Sequence, residues 1–197
     1  MSRSSEATDE ENPTLFQAAL ADRWQQLPKA LETLHSVQDK ATFSGVAQIA
    51  RGGSVLSDLI AWAVGFPPAG KAVPVMVTKT RREAGEVWEV WERYFQGRVF
   101  HSTCLPSPQR YHVRERLGVF TFELALNVID DGIGLPIRRG WCLGLPIPSK
   151  LLPKSESREF VHENKFHFDI AVLTPFGQGL IVRYQGWLLP VSQGIAE

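Results

Sequence analysis

The sequence predicts an α+β domain that is mostly antiparallel β, a curled or closed β-barrel of about nine strands with N-terminal helices and one inserted buried helix. Three observations predict it. From Ala41 onward the apolar residues recur with a period of two rather than that of a helix. After Gly65 the successive strands are separated only by short turns rich in Gly, Pro and Asp. Trp, Phe and Leu fall on both faces of several strands, which suits a sheet with a partly apolar lumen and helices outside it.

The elements follow in order. Residues 1–11 are polar and acidic with no apolar periodicity, and read as a disordered leader. Asn12-Pro13 predicts a helix start, with Leu15, Phe16, Ala19, Leu20 and Trp24 on one face. After Pro28 a second helical stretch carries Ala30, Leu31, Leu34 and Val37. A strand over 43–49 leads to Arg51-Gly52-Gly53-Ser54, where Ser54 caps a helix from Val55 to Val64 whose only charge is Asp58. Gly65 ends that helix and Pro67-Pro68 prevents its continuation. Strands are then expected at 73–80, 87–95, 98–102, 111–115, 119–129, 135–143, 155–161, 165–173 and 180–189. A single domain over 12–190 results, with residues 191–197 as a tail.

Composition excludes several classes. Lys+Arg and Asp+Glu both total 21, so the chain lacks the cationic excess of a nucleic-acid binder. Two distant cysteines, Cys104 and Cys142, make neither a thiolate zinc site nor a disulfide framework. With no apolar signal segment and no run long enough for a membrane helix, a cytoplasmic location is expected. Nothing in the sequence calls for a metal or other cofactor.

The last hairpin is the most legible piece. A turn at Pro175-Phe-Gly177 pairs residues whose numbers sum to about 352, setting Asp169 against Arg183 and Phe168 against Tyr184. His167, Asp169 and Arg183 then share one face, while Phe166, Phe168, Ile170, Val182 and Tyr184 share the other. The polar face reads as a lumenal anion or carbonyl site, or as a cross-strand ion pair on a wet surface worth under about 1 kcal/mol. On strand 87–95, Glu89, Trp91, Arg93 and Phe95 share a face, and Glu123 on a later strand is placed to join them. In a lumen, Arg93 would stack on Trp91, and a buried carboxylate would have a raised pKa suited to acid–base work. Facing outward, the same charges are merely solvated. Arg51, Gly52, Gly53 and Ser54 form a simple anion-cradle pattern, or a plain capped turn.

Several segments together resemble a bacterial domain-of-unknown-function family, DUF4166. They are Gly65-Phe-Pro-Pro-Ala-Gly70, Trp91-Glu-Arg-Tyr-Phe95, Gly118-Val-Phe-Thr-Phe-Glu-Leu124, Arg139-Gly-Trp141 with Gly144-Leu-Pro146, Phe166-His-Phe-Asp169 and Val182-Arg-Tyr-Gln-Gly-Trp-Leu188. The resemblance runs from Leu15 to Leu188 and carries no catalytic residues with it. It implies a stand-alone domain, or one working beside a dehydrogenase-like partner.

The residues favour a binding module for an apolar or lipid-like small molecule, with Glu89, Trp91, Arg93, Glu123, Asp169, Arg183 and Tyr184 as ligand contacts. The alternatives are an accessory domain associated with an oxidoreductase, and an acid–base enzyme using Glu89, Glu123 or Asp169 on an apolar substrate.

Overall fold

Backbone polarity, curvature and a broken hairpin together explain the shape of the sheet. The computed structural model describes residues 12–175 and 179–191. The expected leader, most of the tail and the turn residues Phe176-Gly177 lie outside the described residues.

Helix α1 (Leu15–Leu20) starts later than Asn12-Pro13 suggests, because Thr14 is its N-cap. The Thr14 N–H donates to Gln17 Oε1 at 2.8 Å and its hydroxyl donates to the His35 carbonyl at 2.8 Å. A 3-10 turn over Ala21–Gln26 and helix α2 (Lys29–His35) follow. Leu15, Phe16, Leu20, Leu31 and Leu34 are buried and join one hydrophobic cluster with the strands.

Strand β1 (Lys40–Arg51) runs away from α2 and ends at helix α3 (Val55–Val64). Ser54 caps α3 as expected, accepting from the Ser57 N–H at 3.1 Å, and Gly65 ends it with a φ of 81°, in the left-handed region. Ser57 is buried and donates its hydroxyl to the Leu180 carbonyl at 2.7 Å, fastening α3 to the start of the last strand. Ser57→Ala is expected to cost about 1 kcal/mol in a urea titration, the net value of one hydrogen bond; an unchanged midpoint would remove this fastening from the account.

Strands β2 (Gly70–Ala84), β3 (Glu86–Phe95), β4 (Arg98–Pro106), β5 (His112–Leu117), β6 (Phe120–Ala125), β7 (Asn127–Ile129), β8 (Gly132–Gly134), β9 (Ile137–Cys142), β10 (Leu145–Pro146), β11 (Lys154–Ser155), β12 (Arg158–His162), β13 (Lys165–Leu173) and β14 (Leu180–Pro190) complete the chain. All pairings are antiparallel. The hydrogen-bonded order is β10-β9-β6-β5-β4-β3-β2-β1-β14-β13-β12-β8-β7, with β11 on β13.

This path has two ends, so the sheet does not close into a barrel. One bent hairpin accounts for both ends. Its first arm, β6 then β7, is interrupted at Leu126, and its second arm, β8 then β9, at Leu135-Pro136. β6 pairs with β5 while β8 pairs with β12, so the two halves of the hairpin belong to opposite ends of the path. Pro136 has no N–H to donate to a ladder, which fits the break. Freed backbone groups find partners elsewhere: the Leu126 N–H donates to Tyr111 O and the Leu135 N–H to Ser157 O, both at 2.8 Å. Strands from both halves of the path face one cavity, so the curl is present without the closure.

The last hairpin pairs in a different register from the expected one. Asp169 opposes Gln185 and Ala171 opposes Arg183, a sum of 354 rather than about 352. A shift of two preserves the alternation, so each face keeps its expected residues.

The antiparallel alternation also sorts the loops. α1, α2, the β2–β3 turn and the β7–β8 turn lie at one end of the sheet. Helix α3 lies at the other, with the β3–β4 turn and the segment 143–155, which arrives there because Lys154 pairs with Leu173. α3 is not buried all round. Ala61 is enclosed and Ile60 and Val64 face the cavity, but Val55, Leu56, Leu59 and Trp62 face outward.

Candidate functional site

Inside the curl is a cavity of about 240 Å³. Phe16 and Leu34 form its floor beneath α1 and α2, and Ile60 and Val64 of α3 stand at the opposite end. Its walls are mainly Val, Leu, Ile and Phe from β2 to β6 and from β13 to β14. Aromatic rings make up much of the surface: Phe95 stacks on Phe100 at 5.8 Å, and Tyr184 meets Phe95 edge-on at 5.8 Å. Polar wall groups are few: Arg93, Cys104, Glu115, Ser155, Ser157, Glu159 and Tyr184.

Each polar group has a defined environment. Alternation along β3 turns Arg93 inward with Trp91 and Phe95. The Arg93 guanidinium donates to Ser102 Oγ at 2.6 Å and to Glu115 Oε1 at 3.0 Å, and sits 4.7 Å over the Trp91 ring. Burial alone would lower the Arg93 pKa, but the Glu115 carboxylate outweighs it and holds it above its ordinary value. Arg93 is therefore a permanent cation already matched by Glu115. Burial raises the Tyr184 phenol well above its usual range, so the hydroxyl stays protonated. Burial likewise pushes the Cys104 thiol well up, with Glu115 and Glu89 adding to the effect, so it is no thiolate nucleophile. His101 lies on the opposite face of β4 near Glu92 and makes no pair with Cys104.

Glu159 joins the wall to a buried charge network. Its Oε2 accepts from His35 Nε2 at 2.7 Å, and His35 Nδ1 lies 3.4 Å from the Lys79 ammonium. Lys79, fully buried, donates to the Leu34 carbonyl at 2.7 Å and pairs with Glu89 Oε2 at 3.1 Å. Trp91 Nε1 donates to the same Glu89 oxygen at 2.8 Å, leaving Glu89 Oε1 buried without a partner. Lys79 also lies 4.2 Å over the Trp91 ring. Two carboxylates, one imidazole and one ammonium are thus enclosed between α1, α2 and the sheet.

The sequence-derived candidates divide accordingly. Trp91, Arg93 and Tyr184 line the cavity. Glu89 shares their face but sits deeper, against Lys79. Glu123 does not join them: β6 turns Phe120, Phe122 and Leu124 to the cavity and Glu123 to the other face. There it is buried under Arg114 and Arg139 at 3.5 and 3.7 Å and accepts from Ser107 at 2.8 Å. Asp169 and Arg183 form a bidentate pair at 2.7 and 2.6 Å on the face away from the cavity, so the lumenal reading of that pair is corrected. At the anion-cradle turn, several groups are engaged within the fold. Arg51 bonds the carbonyls of Phe66 and Pro67, the Gly52 N–H bonds Ile181 O, and Ser54 caps its own helix.

Sequence reasoning missed Lys79, His35, Glu115 and Glu159. Lys79 had a signal, since it continues the inward series Val73, Val75, Val77. Among the described residues no three His, Cys, Asp or Glu cluster as metal ligands, and no helix is long and apolar enough to cross a membrane.

No curated protein matches the chain. A family model described as a domain of unknown function, DUF4166, matches residues 27–188, a span that takes in α2, α3 and nearly the whole sheet with its cavity. The chain belongs to the DUF4166 family.

Proposed function

We propose that this protein is a binding module for a neutral, apolar, lipid-like small molecule held in the cavity. The observation that supports this reading is the cavity itself, apolar on most of its wall and carrying a few fixed polar groups. Its volume of about 240 Å³ lies just below the ~300 Å³ at which ordinary ligand pockets begin, which suits one chain or one compact ring system rather than a two-chain lipid. Charge selects the ligand further. Arg93 is matched by Glu115 and Lys79 by Glu89, while Glu159 adds a carboxylate to the wall. Among the described residues lining the cavity, a free carboxylate ligand would meet no unmatched cation. A neutral carbonyl or hydroxyl oxygen suits the Tyr184 hydroxyl as donor.

The test is native mass spectrometry of protein purified from a bacterial cytosol, followed by organic extraction, beside an Ile170→Trp variant. Ile170 faces the cavity, so the larger ring narrows it from within without opening the fold. A neutral molecule bound one-to-one in wild type and absent from the folded variant is the expected result. An empty wild type that also takes up no prodan, a neutral naphthyl ketone, overturns the reading.

A second reading, acid–base catalysis, is favoured by one observation: Glu159 faces the cavity with His35 bonded behind it. It moves the candidate carboxylate from Glu89, Glu123 and Asp169 to Glu159. The same extraction separates the two readings. Identical molecules from wild type and Glu159→Gln support binding alone, and a different molecule accumulating in the variant supports turnover.

A further inference from the structure

We infer that the α3 end of the sheet is a membrane-docking surface that sets the α3 end of the cavity against an anionic bilayer, the cavity ligand being exchanged with the lipid phase; this rests on the apolar-ligand reading above. The first observation is where the exposed apolar side chains lie. Val55 (87% exposed), Leu56 (51%), Leu59 (59%) and Trp62 (78%) form the outward side of α3. Val119, Leu143, Leu145 and Leu151 are exposed on the turns that meet the same end of the sheet, and the Leu143 N–H bonds the Val119 carbonyl directly. A helix apolar on both its inner and outer sides is unusual unless the outer side meets something apolar.

The second observation is continuity with the cavity. Ile60 and Val64 on α3 and Leu151 on the 143–155 segment line it, so the exposed apolar rim and the apolar interior share these elements. The third is charge. Lys71, Arg98, Arg116, Lys150 and Lys154 are exposed around this end, against Asp58 and Glu156. The turns at the opposite end expose Glu83, Glu86, Asp130, Asp131 and Glu163 against Arg82. Apolar side chains ringed by cations complement a bilayer with anionic headgroups better than they complement an uncharged surface or a like-charged second copy. The net charge of zero conceals this polarity, because the excess at one end is balanced elsewhere.

The test is flotation of the full chain with vesicles of phosphatidylcholine alone and of phosphatidylcholine and phosphatidylglycerol in equal parts. Binding to the mixed vesicles, weakened by salt and reduced at least tenfold in Leu59→Glu/Trp62→Glu, is the expected result. Both side chains are exposed, so the double variant keeps its circular dichroism and melting temperature. It also keeps its uptake of prodan in vesicle-free buffer, where Ile170→Trp does not. Wild type that takes up prodan but stays off the mixed vesicles overturns docking and leaves the binding reading standing. Vesicle binding without prodan uptake keeps docking and removes the ligand. A wild-type dimer that the double variant turns into a monomer, with no vesicle binding by either, overturns docking in favour of a second copy as the occupant.

Discussion

Lys79→Met destabilises the fold by about 3–5 kcal/mol, the range expected when one partner of a buried ion pair is removed and the other is left behind. Lys79 is fully enclosed, and its ammonium is held by the Leu34 carbonyl, by Glu89 and by the face of Trp91. Without it, Glu89 becomes a buried carboxylate whose one remaining partner is the Trp91 N–H, with its second oxygen already unpartnered. Neutralising that carboxylate removes the main cost. Lys79→Met/Glu89→Gln therefore recovers most of the loss, since a glutamine carbonyl still accepts from Trp91. Urea unfolding followed by far-ultraviolet circular dichroism measures both. A single-variant loss under about 1 kcal/mol, or a double variant no better than the single, would show that the pair is not the buried unit described.

The same network marks the limit of what the sequence made legible. Strand positions were readable because alternation is local: Lys165–Leu173 is found as expected, and most other strands differ mainly at their ends. Faces were readable for the same reason, which is why the last hairpin kept its faces although its register moved by two. The break that leaves the sheet open was hidden, since the expected strands 119–129 and 135–143 run through Leu126 and Pro136. Sheet closure depends on how distant edges meet, and neither edge carries a local signature of its partner.

The candidate site followed the same division. Strand parity grouped Trp91 with Arg93, and Tyr184 with Phe168 and Ile170, but did not say which face was inner; in the structure these residues line the cavity. Glu123 was misplaced although alternation sets it with Thr121, opposite Phe120, Phe122 and Leu124; its burial on that outer face, under Arg114 and Arg139, comes from distant side chains that leave no local signal. His35 and Glu159 are 124 positions apart, and only the packing of α2 on β12 and β13 brings them to 2.7 Å. α3 was expected to be buried because it is apolar nearly all round; its exposed side is what the docking inference explains.

Acid is expected to weaken the fold as pH falls below about 6.5, and His35 is the group responsible. Burial is the largest cause lowering its pKa; the Lys79 ammonium adds to it, and Glu159 and Glu89 only partly oppose the two. The geometry agrees, because Lys79 faces Nδ1 and only a neutral ring offers it a lone pair, with the Nε2 proton directed at Glu159. The folded pKa thus lies below the unfolded value near 6.5, and the unfolded chain binds the extra proton first. Stability from this group is fully present above about pH 6.5. It falls as pH drops toward the folded pKa, at up to about 1.4 kcal/mol per pH unit. Most carboxylates titrate lower, and the lowered pKa of Asp22, set mainly by Tyr111, places its own effect below this window. His167 is also lowered, by burial and then by His162 and Lys165, but it is only partly enclosed and its share is screened. Urea midpoints at pH 7.5 and pH 5 decide the matter in three proteins. Wild type and His167→Gln should lose stability across the interval, while His35→Gln, less stable at the outset, should lose little more. An equal loss in His35→Gln would move the titrating group away from the Lys79–His35–Glu159 chain and deny His35 its neutral, proton-donating role behind the cavity wall.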